Sequence, residues 1–387
     1  MKNKGLYALA FGTFGLGIAE FSMMSILPDV ADDFGVSIAE TGHLISAYAI
    51  GVCVGAPLTV FITRGWKLRS VPIFLMAVQM AGNLLMAVSP QYHVALVARF
   101  ISGLPHGAFF GAGSIIANSL AEKGKSTSAV AIMIMGMTIA NLAGVPMGSM
   151  IGHLLSWRLI FAFAAVCGCA TICALRSWVP ELPALPKGSM SGQFRFLRRR
   201  EPWLLIIATM LGNGGVFCWY SYVNPIMTDV AGLDVGTMPF IMLLAGGSMC
   251  MGNYLGGRLS DRYTPEKVAM CTQGLMFIVL SAIFLTAQYA LCSIVFMCFC
   301  TACLFAVSSP QQLLLLRHSA GGEMMGGAMV QLAFNLGNAL GAFWGGLPIE
   351  SGLGVRYAPA IGAVMAATGA VVLYVYNRSV RTSATQI

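Results

Sequence analysis

Charge is what this sequence has least of. Of its 387 residues, 9% are Asp, Glu, Lys or Arg, whereas soluble domains carry about a quarter, so most of the surface of this chain cannot face water. Acids are scarcer than bases, 14 against 22, and there are five His. No H-E-x-x-H, P-loop or dinucleotide fingerprint occurs, which argues against an enzyme and a self-contained ATP-driven pump; no metal and no cofactor are expected. The formal charge of +8 does not point to nucleic acid, because the bases sit in short runs between apolar segments and not over one solvated face. A disulfide framework is also unindicated. The eleven Cys (53, 167, 169, 173, 218, 250, 271, 292, 298, 300 and 303) all lie in apolar stretches, and the C-x-x-C of Cys300 and Cys303 has no His or acid beside it. They read as small apolar packers.

What fills the chain is apolar: 57% of it, with 45 Gly, 25 Met and 22 Phe. That composition suits helices packed in lipid, where small residues let backbones approach. A bilayer core takes about 20 apolar residues as helix. Twelve such runs follow one another, over 5–28, 39–62, 71–89, 94–120, 127–152, 158–179, 203–227, 238–259, 268–287, 291–316, 325–348 and 357–377. Hydrocarbon offers no hydrogen bonds, so the backbone of such runs must be satisfied within helices. The first run follows Lys2 and Lys4 as a signal peptide would, but it is too long for one and further spans follow, so it is expected to be retained. The fold class expected is an all-α integral membrane protein of twelve transmembrane helices.

Lys and Arg in the loops set the orientation. With the N-terminus inside, nineteen bases fall on cytoplasmic segments, only Arg158 and Arg356 fall opposite, and Arg99 lies within a span. Both termini are therefore expected in the cytoplasm. The longest connection, carrying Pro180, Pro183, Pro186 and the run Arg198-Arg199-Arg200, divides the chain into a six-helix bundle at 1–180, a cytoplasmic linker at 181–202 and a second six-helix bundle at 203–387. The arginine run reads as a topology anchor near anionic headgroups, with regulation as the lesser reading. The halves echo each other weakly: shifted by 197 residues, Pro28 falls on Pro225, Gly55 on Gly252 and Val71 on Val268. Two pseudo-symmetric halves are the plan of transporters whose site lies between them near mid-membrane.

Four motifs sharpen this. F-G-T-F-G-L-G-I-A-E-F (11–21) with Leu27-Pro28 opens the first span, and A-R-F-I-S-G-L-P-H-G-A-F-F-G (98–111) lies in the fourth. G-V-P-M-G-S-M-I-G (144–152) with S-W-R-L-I-F (156–161) closes the fifth, and G-G-R-L-S-D-R-Y (256–263) follows the eighth. In order and at these spans they resemble the major facilitator superfamily (MFS), within it the twelve-span drug:proton antiporter group, and most closely the arabinose-efflux-permease-like (AraJ-type) branch. The resemblance implies a secondary transporter of the bacterial inner membrane working by alternating access. It implies export of a small drug-like compound, or a sugar or related metabolite, in exchange for protons. Partners would be the small-molecule substrate, protons and the lipid bilayer, with the chain a monomer. A proton-coupled importer and a non-transporting sensor or scaffold of the same fold are the rival readings. One departure stands out: the loop T-R-G-W-K-L-R (63–69) puts Arg64 where the family carries an acid, so the cytoplasmic latch is expected to rest on Arg258, Asp261 and Arg262.

Single residues carry the chemistry. Glu20 is the one acid well inside a span. Carboxylates in hydrocarbon face a cavity or a partner and are functional by default, and a carboxyl that gains and loses a proton can couple a gradient to a substrate; the plainer role is a hydrogen bond to a neighbouring helix. Arg99 is the one base deep in a span, facing either backbone carbonyls or a carboxylate. His106, seven residues on and near the same face, is either a second proton site or a satisfied core histidine. Phe21 and Asn141 are expected at the cavity. Gly144, Pro146, Gly148 and Gly152 imply a kinked, closely packed helix face, turned toward the other half or simply packed. In the seventh span Asn213, Trp219, Tyr220 and Tyr222 form either a cavity wall or an interfacial aromatic belt. Gln312, Gln331 and Asn335 are polar groups in lipid-length spans, the last two sharing a helix face.

Overall fold

The computed structural model describes residues 2–184 and 190–384; the middle of the proline-rich linker, Lys187 included, lies outside them, as do the side-chain surroundings of Gly148, His153 and Arg381. The described chain is all-α, with one isolated β-bridge between Lys67 and Ala184. Its helices are α1 (Lys2–Ser25), α2 (Leu27–Phe34), α3 (Ile38–Ile62), α4 (Ser70–Ala87), α5 (Tyr92–Gly103), α6 (His106–Leu120), α7 (Ser126–Leu154) and α8 (Arg158–Trp178). There follow α9 (Met190–Gln193), α10 (Arg200–Tyr220), α11 (Val223–Pro225), α12 (Met238–Arg262), α13 (Pro265–Thr286), α14 (Ala290–Ala306), α15 (Ser308–Arg317), α16 (Glu323–Glu350) and α17 (Ala358–Ala384). Among the described residues, eleven helical stretches are long and apolar enough to cross a membrane, and they match eleven of the twelve runs. The remaining run, 325–348, lies in the 28-residue α16, where six Gly and the amides of Gln331, Asn335 and Asn338 dilute its apolar character.

Three expected spans are interrupted. Proline has no N–H for the carbonyl four residues back. Pro105 thus leaves Ile101 to accept from Leu104 at 3.3 Å, and the fourth span divides into α5 and α6. The tenth divides at Val307, just before Pro310. The first ends at Ser25, and Pro28 sits in the first turn of the short α2, which Gly35 closes in the left-handed conformation at φ 64°. The next helix begins with a reciprocal cap, in which Ser37 and Glu40 each accept from the other's backbone N–H, satisfying donors that a helix start leaves open.

The chain folds into two compact units, one of Met1–Phe196 with Ser319–Gln331, the other of Leu197–His318 with Leu332–Ile387. Each builds the same contacts from small residues. In the first, a Cβ at Gly51 or Gly55 of α3 would strike the carbonyls of Phe100 or Leu104; in the second, a Cβ at Gly252 or Gly256 of α12 would strike those of Ala302 or Ala306. Each glycine gives up about 1 kcal/mol of helix propensity, and close backbone approach offsets it. A glutamine recurs as well. Gln79 of α4 donates to the Gly15 carbonyl of α1 at 3.3 Å and packs on Gly168 of α8; Gln273 of α13 donates to the Ala208 carbonyl of α10 at 2.8 Å and packs on Gly369 of α17. By contact, then, Gly51 corresponds to Gly252 and Gly55 to Gly256. A single shift of 197 residues does not hold through the chain, because the loops between equivalent helices differ in length.

Candidate functional site

The charged and titratable positions singled out within the spans converge in the first unit. Glu20 comes from α1, Arg99 from α5 and His106 from the first turn of α6; Arg99 and His106 are both fully buried. Arg99 donates from Nη1 to the Ala19 carbonyl at 2.6 Å and from Nε to the Leu44 carbonyl at 3.2 Å. It therefore clamps α1 and α3 through charge-assisted bonds, each about twice as strong as a neutral one. Its guanidinium also lies 4.4 Å over the Tyr48 ring and 5.6 Å over that of Phe161. Of the two partners the sequence left open for Arg99, the hydrogen bonds go to carbonyls, one of them the carbonyl of the residue before Glu20.

His106 is held on several sides. Its Nδ1 is 2.8 Å from the Tyr48 hydroxyl and 3.9 Å from Glu20 Oε2. Its ring stacks on Phe110 with centroids 5.3 Å apart, and the Gln331 side chain of α16 lies beside it. Glu20 keeps 13% of its side chain accessible while His106 keeps none, so Glu20 is the less enclosed of the two. Buried Glu20 Oε2 and Arg99 Nη2 have no hydrogen-bond partner. Chemically this is one carboxyl, one imidazole, one guanidinium and one phenol in an apolar setting, where a change of charge on any member is felt by the others.

Tyr48, the link between His106 and Arg99, was not among the residues expected. Its signal was a lone tyrosine in the apolar run 39–62, and such a residue packs equally well as core. The glycine-rich stretch of α7 lies against α1 and the residue that follows it in the same unit: a Cβ at Gly144 would meet Ile18 of α1 and one at Gly152 would meet Ile26, between α1 and α2, while Ser22 donates to the Gly144 carbonyl at 3.3 Å. α7 runs on through Pro146. Phe21 and Asn141 are half-buried.

The other expected positions lie in the second unit, apart from Gln331. Asn213 donates to the Phe334 carbonyl at 2.9 Å and to Asn338 Oδ1, holding α10 against α16, and the hydroxyl of Tyr222, just past α10, donates to the Ala342 carbonyl of α16 at 2.8 Å. Trp219 is fully buried, Gln312 is buried beside Gln311, and Tyr220 and Asn335 are half-buried. Burial removes Trp219 from any belt facing lipid.

At the end of α12, Arg258 donates to the Tyr254 hydroxyl at 2.8 Å, Arg262 lies 5.6 Å over the Tyr263 ring, and Asp261 is half-buried. The 63–69 loop has an acid after all, supplied from elsewhere: Glu181 accepts from Lys67 at 2.9 Å and from Arg69 at 3.1 Å. Arg69 also donates to the Val179 carbonyl at 3.2 Å. The Lys67 hydrogen bond, with the Lys67 and Arg69 charges, holds the Glu181 carboxyl below its ordinary range. Along the chain Glu181 stands among the linker prolines, where an acid carries no signal of its own.

A Major Facilitator Superfamily model matches residues 9–330. The chain belongs to this superfamily. The motif resemblance is borne out by relatives along its length. It is 42% identical over 382 residues, 99% of this chain and 97% of the relative, to "Putative transporter AraJ" of Escherichia coli (strain K12). It is 31% identical over 343 residues, 87% of this chain and 86% of the relative, to "Chloramphenicol resistance protein" of Streptomyces lividans. Among solved structures, the MFS transporter FucP, crystallised in the outward conformation, aligns with a TM-score of 0.76 over 96% of this chain and 98% of its own, at 14% identity, a likeness of fold. This MFS protein is thus an all-α, multi-pass membrane transporter and not an enzyme.

Proposed function

We propose that this MFS protein is a proton-coupled exporter of a small amphipathic drug-like compound or a sugar-like metabolite. Two six-helix bundles, 1–180 and 203–387, work by alternating access, as a monomer in a bacterial inner membrane with both termini in the cytoplasm. The observation that carries the reading is Glu20: a partly exposed side chain whose carboxyl is set against His106, beside an Arg99 that grips the backbones of α1 and α3. A carboxyl so placed takes up a proton on one side and yields it on the other. Its charge state then biases which arrangement of the helices is favoured, by as much as the two arrangements differ in affinity for the proton. Substrate contacts fall to Phe21, Asn141, Asn213, Tyr220, Gln312, Gln331 and Asn335, and Arg258, Asp261 and Arg262 serve as the cytoplasmic latch. Export is supported by the glycine-rich α7 motif and by the resistance and transport roles in the relatives' names.

The test is transport in inside-out vesicles with an imposed pH gradient, run against a compound panel that includes phenicols and free sugars. Uptake driven by an acidic lumen, lost in Glu20→Gln, is the expected result. Undiminished gradient-driven flux in Glu20→Gln removes the carboxyl from the mechanism. Accumulation only with the gradient reversed makes the protein an importer, and no flux from folded protein makes it a non-transporting relative.

A further inference from the structure

Resting on that proton-coupled reading, we propose that Tyr48 is the positioning residue that carries the charge state of Glu20 and His106 to Arg99. One nitrogen, His106 Nδ1, faces two partners: the Tyr48 hydroxyl at 2.8 Å and the Glu20 carboxyl at 3.9 Å. It cannot hold a full hydrogen bond to both with one hydrogen. In the arrangement observed the Tyr48 hydroxyl stands at hydrogen-bond distance from Nδ1, and the carboxyl lies beyond that reach. When Glu20 gives its proton to water, an N–H donated to the carboxylate becomes charge-assisted and stronger than the bond to a neutral phenol. The imidazole then turns to Glu20 and the buried Tyr48 hydroxyl loses its partner, a state a folded interior does not tolerate without adjustment.

Tyr48 is not free to adjust alone. Its ring forms the face beneath the Arg99 guanidinium, 4.4 Å from the centroid, and meets the His106 ring edge-on at 90°. A cation over an aromatic face feels displacement of the ring, and the cation here binds the carbonyls of Ala19 and Leu44. Rotation of the phenol is thereby converted into a change at the backbones of α1 and α3. The ionisable groups facing this chain of contacts are Glu20 from α1, Arg99 from α5 and His106 from α6. Gln331 of α16 brings an uncharged amide, and α4 and the 126–152 stretch of α7 bring no ionisable side chain.

The experiment follows the Arg99 guanidinium by solid-state NMR of arginine-labelled protein in lipid, assigned by loss of the signal in Arg99→Lys, as pH is varied. In the native chain the signal is expected to shift through the titration of the cluster, and in Glu20→Gln that shift is lost. Tyr48→Phe keeps the ring and removes the hydroxyl. It is expected to abolish the pH-dependent shift of Arg99 while the pH response of a His106 imidazole signal persists. His106→Gln cuts the same path from the other side and is expected to give the same loss, which covers the case in which one variant folds poorly. An Arg99 signal that still follows pH in folded Tyr48→Phe overturns the proposal. That outcome is distinct from failure of proton coupling, which is read from flux in Glu20→Gln and not from this signal.

Discussion

At the break in its fourth span the first unit places Pro105-His106; in the second unit the corresponding break falls at Val307, and Pro310-Gln311 follows it inside α15. Around His106 stand Glu20, Tyr48 and Arg99; around Gln311 stands Gln273, whose Oε1 accepts from Gln311 at 3.3 Å. The buried polar groups described in the second unit are hydroxyls and amides, with no buried charge among them, whereas the first unit buries Arg99 and His106 completely. Both kinds of group satisfy a helix interior, but only ionisable ones answer to pH. The shared glycine and glutamine contacts are therefore frame. The titratable cluster is an addition that one unit carries, at the cost of desolvating charge, which is far larger than that of a bonded amide.

The sharpest way to break this comparison is to replace the buried polar residue that follows the proline in each unit. His106→Leu is expected to reduce pH-driven flux by on the order of 100-fold, the upper range for coupling between two sites. Gln311→Leu is expected to leave the pH dependence in place; equal loss of pH response in both would end the assignment of proton chemistry to the first unit. Next come the glycines. Gly55→Leu and Gly256→Leu would force carbonyl contacts apart in both units, and each is expected to cost about 1–3 kcal/mol or more, as overpacking does. Unfolding of purified protein in mixed detergent measures it, and a tolerant Gly256 would show that the frames are not equivalent.

Smaller effects test the glutamines. Gln79→Leu and Gln273→Leu each remove one inter-helix bond to a carbonyl and are expected to cost about 1 kcal/mol. Gln273 is expected to cost more, because its loss also strands Gln311. The smallest effect concerns Glu181. Its folded-state pKa is depressed by Lys67 and Arg69, so its contribution is complete above the unfolded carboxyl value, about 4.3. That contribution is lost as pH falls through the lower folded value. Protection of the 63–69 loop against hydrogen exchange, taken relative to the intrinsic rate at each pH, should fall in that acid window, and Glu181→Gln should abolish that fall.

Much of the cluster was visible along the chain. Glu20 and Arg99 stood out because a charge in an apolar run has few reasons to be there, and His106 because it follows Arg99 at a spacing that returns to the same helix face. Tyr48 was not visible, since its hydroxyl acquires meaning only once α3 is laid against α5 and α6. The glycines of α7 drew attention by composition, but their neighbour, α1, was set by packing. Arg64 was recognised as a departure, yet Glu181, which answers Lys67 and Arg69 of the same loop, sits more than 110 residues away in sequence.

By itself the sequence determined that this chain is a bundle of lipid-length helices, how many there are, and which few residues bring charge among them. Those follow from a solvent that offers no hydrogen bonds: it forces each apolar run into a helix and makes each stray charge conspicuous. What the tertiary structure alone decided is who meets whom: Arg99 on two carbonyls, Tyr48 between Arg99 and His106, and one glutamine on a glycine in each unit. Such pairings depend on where glycines let two backbones close and where prolines break a helix, and those distances are set by all the packed neighbours at once.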